Sequence, residues 1–290
     1  MIPHRIYLSG GGMCAIAHVG ALIELSKHIP LKAVREWMGV SAGALMAMCV
    51  VIGFTLDELK DFAVRFDFSN IREYDSVPGW ILHFGIDTGD RLQKLVEALL
   101  HVKGLSSELT FKECYEKFGL SLRTVATDLN DGRAISYSPK ETPDYKVADA
   151  VRASMSFPYY FQPFICPVTG HYLADGGVIS NYPLFVLPEE EHSRTLSLLI
   201  NSGIEKLDDM VDAGIENIVI RPLRMTLLAK QELERKFYES QSIEIMLPNL
   251  NILEFSYNEE TKNSIIESGI SGVKKYLEGV KKPIRRHSVS

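Results

Sequence analysis

Residues 5–9 (RIYLS) form a short apolar run that stops at Gly10-Gly11-Gly12, the pattern of a strand entering a glycine turn. Ile16, Val19 and Ile23 then recur at i, i+3 and i+7, the period of a helix with one buried face. Residues 34–40 predict a second strand. The uncharged run 42–53 (AGALMAMCVVIG) that follows Ser41 predicts a buried helix, because it is apolar all round. Strand, helix, strand, helix in short order predicts an α/β fold with a mostly parallel sheet covered on its faces.

Two helix starts are marked chemically. Thr55-Leu56-Asp57-Glu58 and Thr110-Phe111-Lys112-Glu113 both fit the capping box, in which the Thr hydroxyl and the Glu carboxylate satisfy amides that the helix leaves open. Between them, Leu92, Leu95, Val96 and Leu99 predict a one-sided helix over 90–101. Residues 122–127 and 134–137, joined across Asn130-Asp131-Gly132, read as a hairpin. Val147, Ala150 and Val151 predict a short helix ahead of the aromatic, proline-bearing stretch 157–167. Beyond Leu187 charge is denser, and residues 225–246 read as one long helix of mixed faces. The expected organisation is a catalytic domain over 5–187, a partly helical extension of it over 188–280, and a basic, disordered tail over 281–290.

Composition narrows the function classes. The 290 residues could form two average domains, but α/β folds of this length often form one. Hydrophobic residues make up 46% and charged residues 23%, ordinary for a globular chain with a sizeable core. Net charge is −6, and the only basic run is Lys281-Lys282-Pro283-Ile284-Arg285-Arg286, so the basic stripe of a nucleic-acid binder is missing. The N-terminus has no apolar stretch of the secretory kind, and 42–53 is too short to cross a bilayer core of about 30 Å. Cys14, Cys49, Cys114 and Cys166 are scattered without a CxxC, the usage of reduced thiols inside a cell. The cytoplasm, with transient contact to membrane surfaces, is the expected setting.

Three motifs carry chemistry. Gly39-Val40-Ser41-Ala42-Gly43 is a GxSxG, which sets a serine on a tight strand-to-helix turn. Both glycines let neighbouring backbone come close, and the new helix aims its first amides at developing negative charge. Gly10-Gly11-Gly12 lacks the third glycine of a dinucleotide loop, since Ala15 stands there, and lacks the Gly-Lys-Ser/Thr of a nucleotide-phosphate loop. Unobstructed amides in such a turn suit the oxyanion of an acyl-transfer intermediate. Asp175-Gly176-Gly177 follows the apolar Tyr172-Leu173-Ala174, so the Asp can stand at a strand end, where a carboxylate can take a serine proton directly.

In this order the motifs resemble the patatin-like phospholipase family. The likeness runs on through Ala126-Thr127-Asp128-Leu129, Ala153-Ser154-Met155-Ser156-Phe157-Pro158 and Asn181-Tyr182-Pro183, about two-thirds of the chain. The resemblance implies a three-layer α/β/α fold, Ser41 as nucleophile and Asp175 as its partner in a dyad. It also implies an oxyanion hole from amides of the Gly10, Gly11, Gly12 and Met13 loop, and hydrolysis of acyl esters in lipids of the phospholipid kind. No metal or organic cofactor is implied. One position departs: the family's loop usually reads Gly-Gly-Gly-x-Arg/Lys-Gly, and here Cys14 and Ala15 take the last two places. A cation there could contact a substrate phosphate, so its loss bears on head-group preference more than on chemistry.

Rival readings are each tied to a residue. Esterase, lysophospholipase or transacylase action on neutral or single-chain lipids is favoured by the missing loop cation. An idle lipid-binding scaffold is opposed by the intact Ser41 and Asp175. A serine-histidine triad would need His192, in a charged run, or His287, in the tail, whereas His18 reads as a structural polar residue. Asp128 and Asp131 read as strand-end and turn residues. Cys14, near a helix start, could be a reactive thiol but fits better as a small buried hydrophobe. The aromatic stretch 157–164 is either core packing or an acyl pocket and lip at a lipid interface.

Overall fold

The computed structural model describes residues 2–73, 82–204, 214–247 and 250–281. Five parallel strands form its centre: β1 (Arg5–Leu8), β2 (Glu36–Val40), β4 (Ser121–Asp128), β9 (Thr195–Asn201) and β10 (Ser242–Met246). Antiparallel to β4 run β5 (Arg133–Tyr137) and β8 (Tyr172–Asp175), and β7 (Phe164–Ile165) pairs with β8. The order is β10-β9-β1-β2-β4-β8-β7, with β5 on β4 as well. A separate two-stranded sheet joins β3 (Gly85–Asp87) to β6 (Tyr159–Phe161).

Side-chain alternation along the strands divides the core in two. Ile6, Leu8, Trp37, Leu122, Leu198 and Ile200 enter the larger cluster, which takes in α1 (Ala17–Ser26), α2 (Ala42–Val51), α4 (Asp90–Val102) and α6 (Val147–Ser154). Tyr7, Met38, Val40, Val125 and Leu199 point the other way and meet Tyr182, Leu184 and Leu187. A mostly parallel sheet covered on both faces is the expected α/β/α architecture. Both capping boxes form, at the starts of α3 (Leu56–Arg65) and α5 (Phe111–Phe118).

Past Leu187 the structure departs from expectation. After a short α7 (Glu189–His192), β9 and β10 enter the central sheet, so this region builds the core instead of decorating it. The helix expected over 225–246 is instead α8 (Gly214–Phe237), and Ser242–Met246 is strand. Ile243 and Ile245 are buried while Met246 is exposed, a period of two hidden at the end of a helical run. α9 (Glu259–Lys281) crosses α1 through Gly20 and Gly269, where any Cβ would strike the partner backbone. The basic tail beyond Lys281, with His287, lies outside the described residues.

A buried ionic cluster ties the N-terminal ends of the strands. Glu36 accepts from Arg5 at 2.7 Å and from Arg123 at 2.7 Å, all three almost without solvent. Burial pushes the Glu36 carboxyl up, but the two guanidiniums outweigh it and hold it below the usual range. A folded pKa below the unfolded one gives stability that is complete above the unfolded value and disappears as pH falls through the folded one. Glu36→Gln removes the carboxylate that two buried guanidiniums share, leaving Arg5 with Glu191 and Arg123 with Glu141, and should cost about 2 kcal/mol in denaturant unfolding at pH 7. The difference from wild type should shrink below about pH 4, and an equal difference at pH 7 and pH 3 would refute this account.

Candidate active site

β4 pairs along one edge with two strands in succession. β2 runs parallel to it as far as Val40 opposite Val125, and β8 runs antiparallel as far as Asp175 opposite Ala126. β5 occupies the other edge over Thr124–Asp128, so β2 and β8 must share the same side. They approach tip to tip and stop at neighbouring positions. Ser41, one residue past β2, and Asp175, the last of β8, are thereby brought together.

The serine sits in a conformation that L-residues avoid, with φ 55° and ψ −133°. Such strain costs roughly 1–3 kcal/mol and persists only where surrounding packing dictates it. Here the packing is explicit. A Cβ at Gly39 would overlap the Gly43 carbonyl, and one at Gly43 would overlap the Leu8 carbonyl, so the GxSxG glycines are required by close backbone approach. The Ser41 N–H donates to Ser154 Oγ at 2.9 Å, and Ser154 in turn donates to the Val125 carbonyl at 2.6 Å.

The same segment holds the Asp. Its N–H donates to the Ser156 carbonyl at 2.9 Å, and its carbonyl accepts from Thr127 Oγ1 at 2.9 Å. Arg152, buried, donates to Ser156 Oγ at 2.5 Å and to the carbonyls of Thr88 and Gly89. Asp175 Oδ1 accepts the Gly177 N–H at 2.8 Å, and a Cβ at Gly176 would strike the Val125 carbonyl. Oδ2 completes no hydrogen bond among the described residues. With the residue 2% exposed, burial raises the carboxyl pKa to about 7; the Ser41 hydroxyl and the Gly177 amide favour the charged form and limit the rise. A carboxylate so placed is a far better proton acceptor near neutral pH than a free Asp near 4.

The glycine loop divides its amides. The Gly10 N–H donates to Asn181 Oδ1 at 2.8 Å, and the Met13 N–H donates to the Ile252 carbonyl at 2.8 Å. Both were expected to face an oxyanion, and both are used to hold the loop instead. The amides of Gly11 and Gly12 have no partner among the described residues. Gly12 has φ 50°, and a Cβ there would overlap the Ile252 carbonyl. Asn181 also donates to Gln231 Oε1 at 2.5 Å, and Gln231 donates to the Ile200 carbonyl at 2.9 Å, so α8 braces the loop through one side chain.

These groups open on a cavity of about 150 Å³ lined by Ser41, Asp175, Gly10–Met13 and a largely apolar wall. A family model described as patatin-like phospholipase matches residues 6–188, well over half of the chain. The chain belongs to the patatin-like phospholipase family. It is 27% identical over 283 residues to the uncharacterized protein R571 of Acanthamoeba polyphaga mimivirus, spanning 94% of this chain and 93% of that one. Against the probable lipid hydrolase 463L of invertebrate iridescent virus 6 it is 25% identical over 181 residues, 62% of this chain and 61% of that protein's length. VipD from Legionella pneumophila shares the fold, with a TM-score of 0.71 at 17% identity, over 96% of this chain and 67% of VipD. Membership of the patatin-like phospholipases supports lipid hydrolysis as the general activity.

Other residues singled out from the sequence lie apart from Ser41 and Asp175. His18 is fully buried on the Ser9 carbonyl, and burial lowers its pKa to about 4, so it is a neutral structural group. His192 rests on the Leu187 carbonyl. Asp128 accepts the Asn130 and Asp131 amides and pairs with His171 at 2.8 Å, a brace at the strand end. Cys14 is fully buried in the larger core, as are the three other free cysteines. The aromatic stretch splits: Phe157 and Phe161 line the cavity, Tyr160 is core, and Tyr159 is exposed with φ 65°. Ser154, Ser156, Arg152, Asn181, Gln231 and Ile252 were not assigned roles from sequence, although the first three lie in or beside the ASMSFP segment.

The raised Asp175 pKa makes a stability prediction separate from activity. Its folded value lies above the unfolded value of about 3.9, so the group favours the fold below that pH and opposes it increasingly up to about 7. Asp175→Asn, which never ionises, should melt higher than wild type at pH 8 and no higher at pH 4. Equal differences at the two pH values would show that the Asp175 proton is not coupled to folding.

Proposed function

We propose that the chain is a serine carboxylic-ester hydrolase of the phospholipase A type. It cleaves acyl esters of phospholipids or related lipids through a Ser41–Asp175 dyad and an acyl-enzyme. The observation that carries this is the tip-to-tip meeting of β2 and β8, which sets a strained serine beside a buried, basic carboxylate at an apolar cavity. Ser41 Oγ attacks the ester carbonyl carbon and its proton passes to Asp175. The oxyanion is held by the open amides of Gly11 and Gly12 and by the first turn of α2. Collapse breaks the ester C–O bond, and the departing alcohol takes the proton back from Asp175. Water then loses a proton to Asp175 as it attacks the acyl-serine carbonyl, and collapse breaks the bond from the acyl carbon to Ser41 Oγ, which takes the proton back from Asp175 as the fatty acid leaves.

The catalytic unit in this reading extends beyond the matched 6–188. Gln231 and Ile252 hold the oxyanion loop from the C-terminal third. Leu45, Leu59, Phe62, Leu92, Phe157 and Phe161 give the cavity walls the character of an acyl-chain pocket. Among the described residues no helix is long and apolar enough to cross a membrane. Lipid esters would then be met by transient contact at a surface, for which the exposed rings of Phe84, Tyr159 and Tyr172 are suited.

Ser41→Ala and Asp175→Asn should each lower fatty-acid release by at least about a thousandfold, while a fluorophosphonate should label wild type at Ser41 and not Ser41→Ala. Assays on a diacyl phospholipid, a lysolipid and a triglyceride identify the substrate class. With Asp175 as base, kcat/KM should fall about tenfold per pH unit below pH 7. Either variant keeping most of its activity on a short-chain ester would overturn the dyad.

A further inference from the structure

One arm of the catalytic cavity runs along α2, and the helix measures its length. Ala42, Leu45, Met46 and Cys49 fall at i, i+3, i+4 and i+7, and all four line the cavity. Ala42, Leu45 and Met46 are only partly buried, whereas Cys49 is 3% exposed. The arm is therefore open beside Ser41 and closed two helical turns further on, about 10 Å along the axis. Ile52, three residues past Cys49, belongs to the packed core and not to the cavity wall.

Three helices meet at that closed end. The Phe54 N–H donates to the Cys49 carbonyl at 2.9 Å, and α3 begins at Leu56, so its first turns lie next to the last turn of α2. Leu59, on α3, is 2% exposed and lines the same cavity. From α4, Leu92 and Leu95 form part of the wall, and Lys103 caps the far end of that helix. Lys103 pairs with Glu58 at 2.8 Å and lies 4.3 Å from the centre of the Phe54 ring. The Thr55–Glu58 capping box holds the start of α3 in turn. The floor is thus made of helix ends tied to one another, not of a loop. Its thiol is neutral, because burial pushes the Cys49 pKa up to about 12. Carbon–carbon bonds of about 1.5 Å at tetrahedral angles advance an extended chain by roughly 1.3 Å per carbon, so the arm holds about eight carbons. A longer chain would have to displace Cys49 or Leu59 in an interior packed as densely as a crystal.

We propose that Cys49 and Leu59 determine acyl-chain length at this site, ending the arm so that esters of unbranched acids of about eight carbons are preferred to longer ones. This inference rests on the ester hydrolysis proposed above. If wild type cleaved no ester of any chain length, that reading would fail; the experiment below instead compares chain lengths on an active enzyme.

The comparison is of kcat/KM for the p-nitrophenyl esters of butyrate, octanoate and dodecanoate, all in the same neutral detergent micelles. Wild type should favour octanoate over both, and over dodecanoate by at least tenfold. Cys49→Phe, which fills the end of the arm, should lower the octanoate-to-butyrate ratio at least tenfold. Leu59→Ala, which opens it, should raise the dodecanoate-to-octanoate ratio at least fivefold. The three esters are read on one preparation, so partial misfolding cancels from each ratio. A wild type that cleaves dodecanoate as well as octanoate, or a ratio unchanged in either variant, would overturn the proposal. Wild type alone gives a second reading that requires no variant to fold. An octyl fluorophosphonate with a diazirine at the end of its chain, attached to Ser41 and then irradiated, should cross-link to α2 near Cys49 or to α3 near Leu59. Cross-links found by mass spectrometry only on other elements would count against this floor as decisively as an unchanged ratio.

Discussion

The pairing of β4 with two strands along one edge, β2 up to Val125 and β8 from Ala126, is the constraint on which the site depends. Strand pairing is rigid and its register is set by buried side chains, so neither tip can slide without turning core residues outward. The separation of Ser41 and Asp175 is therefore inherited from the hydrogen-bonded frame and not from flexible loops. The segment Ser154–Ser156 reinforces it, taking the amide of one residue on a hydroxyl and the amide of the other on a carbonyl. Arg152 below fixes that segment in turn. A change in this support moves Ser41 and Asp175 at once.

Two features of the site oppose folding. The serine holds a positive φ, and the Asp is buried where its charge is disfavoured. Each costs of the order of kilocalories, and each has a chemical use: the turn lifts the hydroxyl out of the sheet, and burial lifts the carboxyl to where it can accept a proton near neutral pH. The opposing stabilisation lies at the other end of the strands, where Glu36 joins Arg5 and Arg123 across three neighbouring strands. The sheet is pinned at its N-terminal ends and strained at its C-terminal ends.

Much of this was legible in the sequence because it is written in local patterns. The strands at 5–8 and 36–40, the apolar helix after Ser41 and both capping boxes follow from period and from residue pairs three apart. The two chemical motifs were legible because glycines mark where backbone crowds backbone. Relations between distant residues were not. No local pattern says that the Gly10 and Met13 amides are taken by Asn181 and by the Ile252 carbonyl, which leaves Gly11 and Gly12 open. The strand at 242–246 was missed because five residues of alternation follow directly on a long helical run, and the helical period dominates any longer window.

The placement of the loop's supports bears on how the C-terminal third should be regarded. A loop of three glycines has few side chains with which to hold itself, and its conformational freedom must be removed from outside. Asn181 does so from just past the Asp-Gly-Gly turn, Gln231 from α8, and the Ile252 backbone from the stretch between β10 and α9. Two of the three lie beyond residue 188, in the part of the chain least distinctive by motif. Ser41 and Asp175 come from the first two-thirds of the sequence, but the glycine loop beside them is held by Gln231 and Ile252 from the remainder. Under the dyad mechanism proposed above, catalytic competence would depend on completing the β10-β9-β1 side of the sheet, even though neither Ser41 nor Asp175 comes from there.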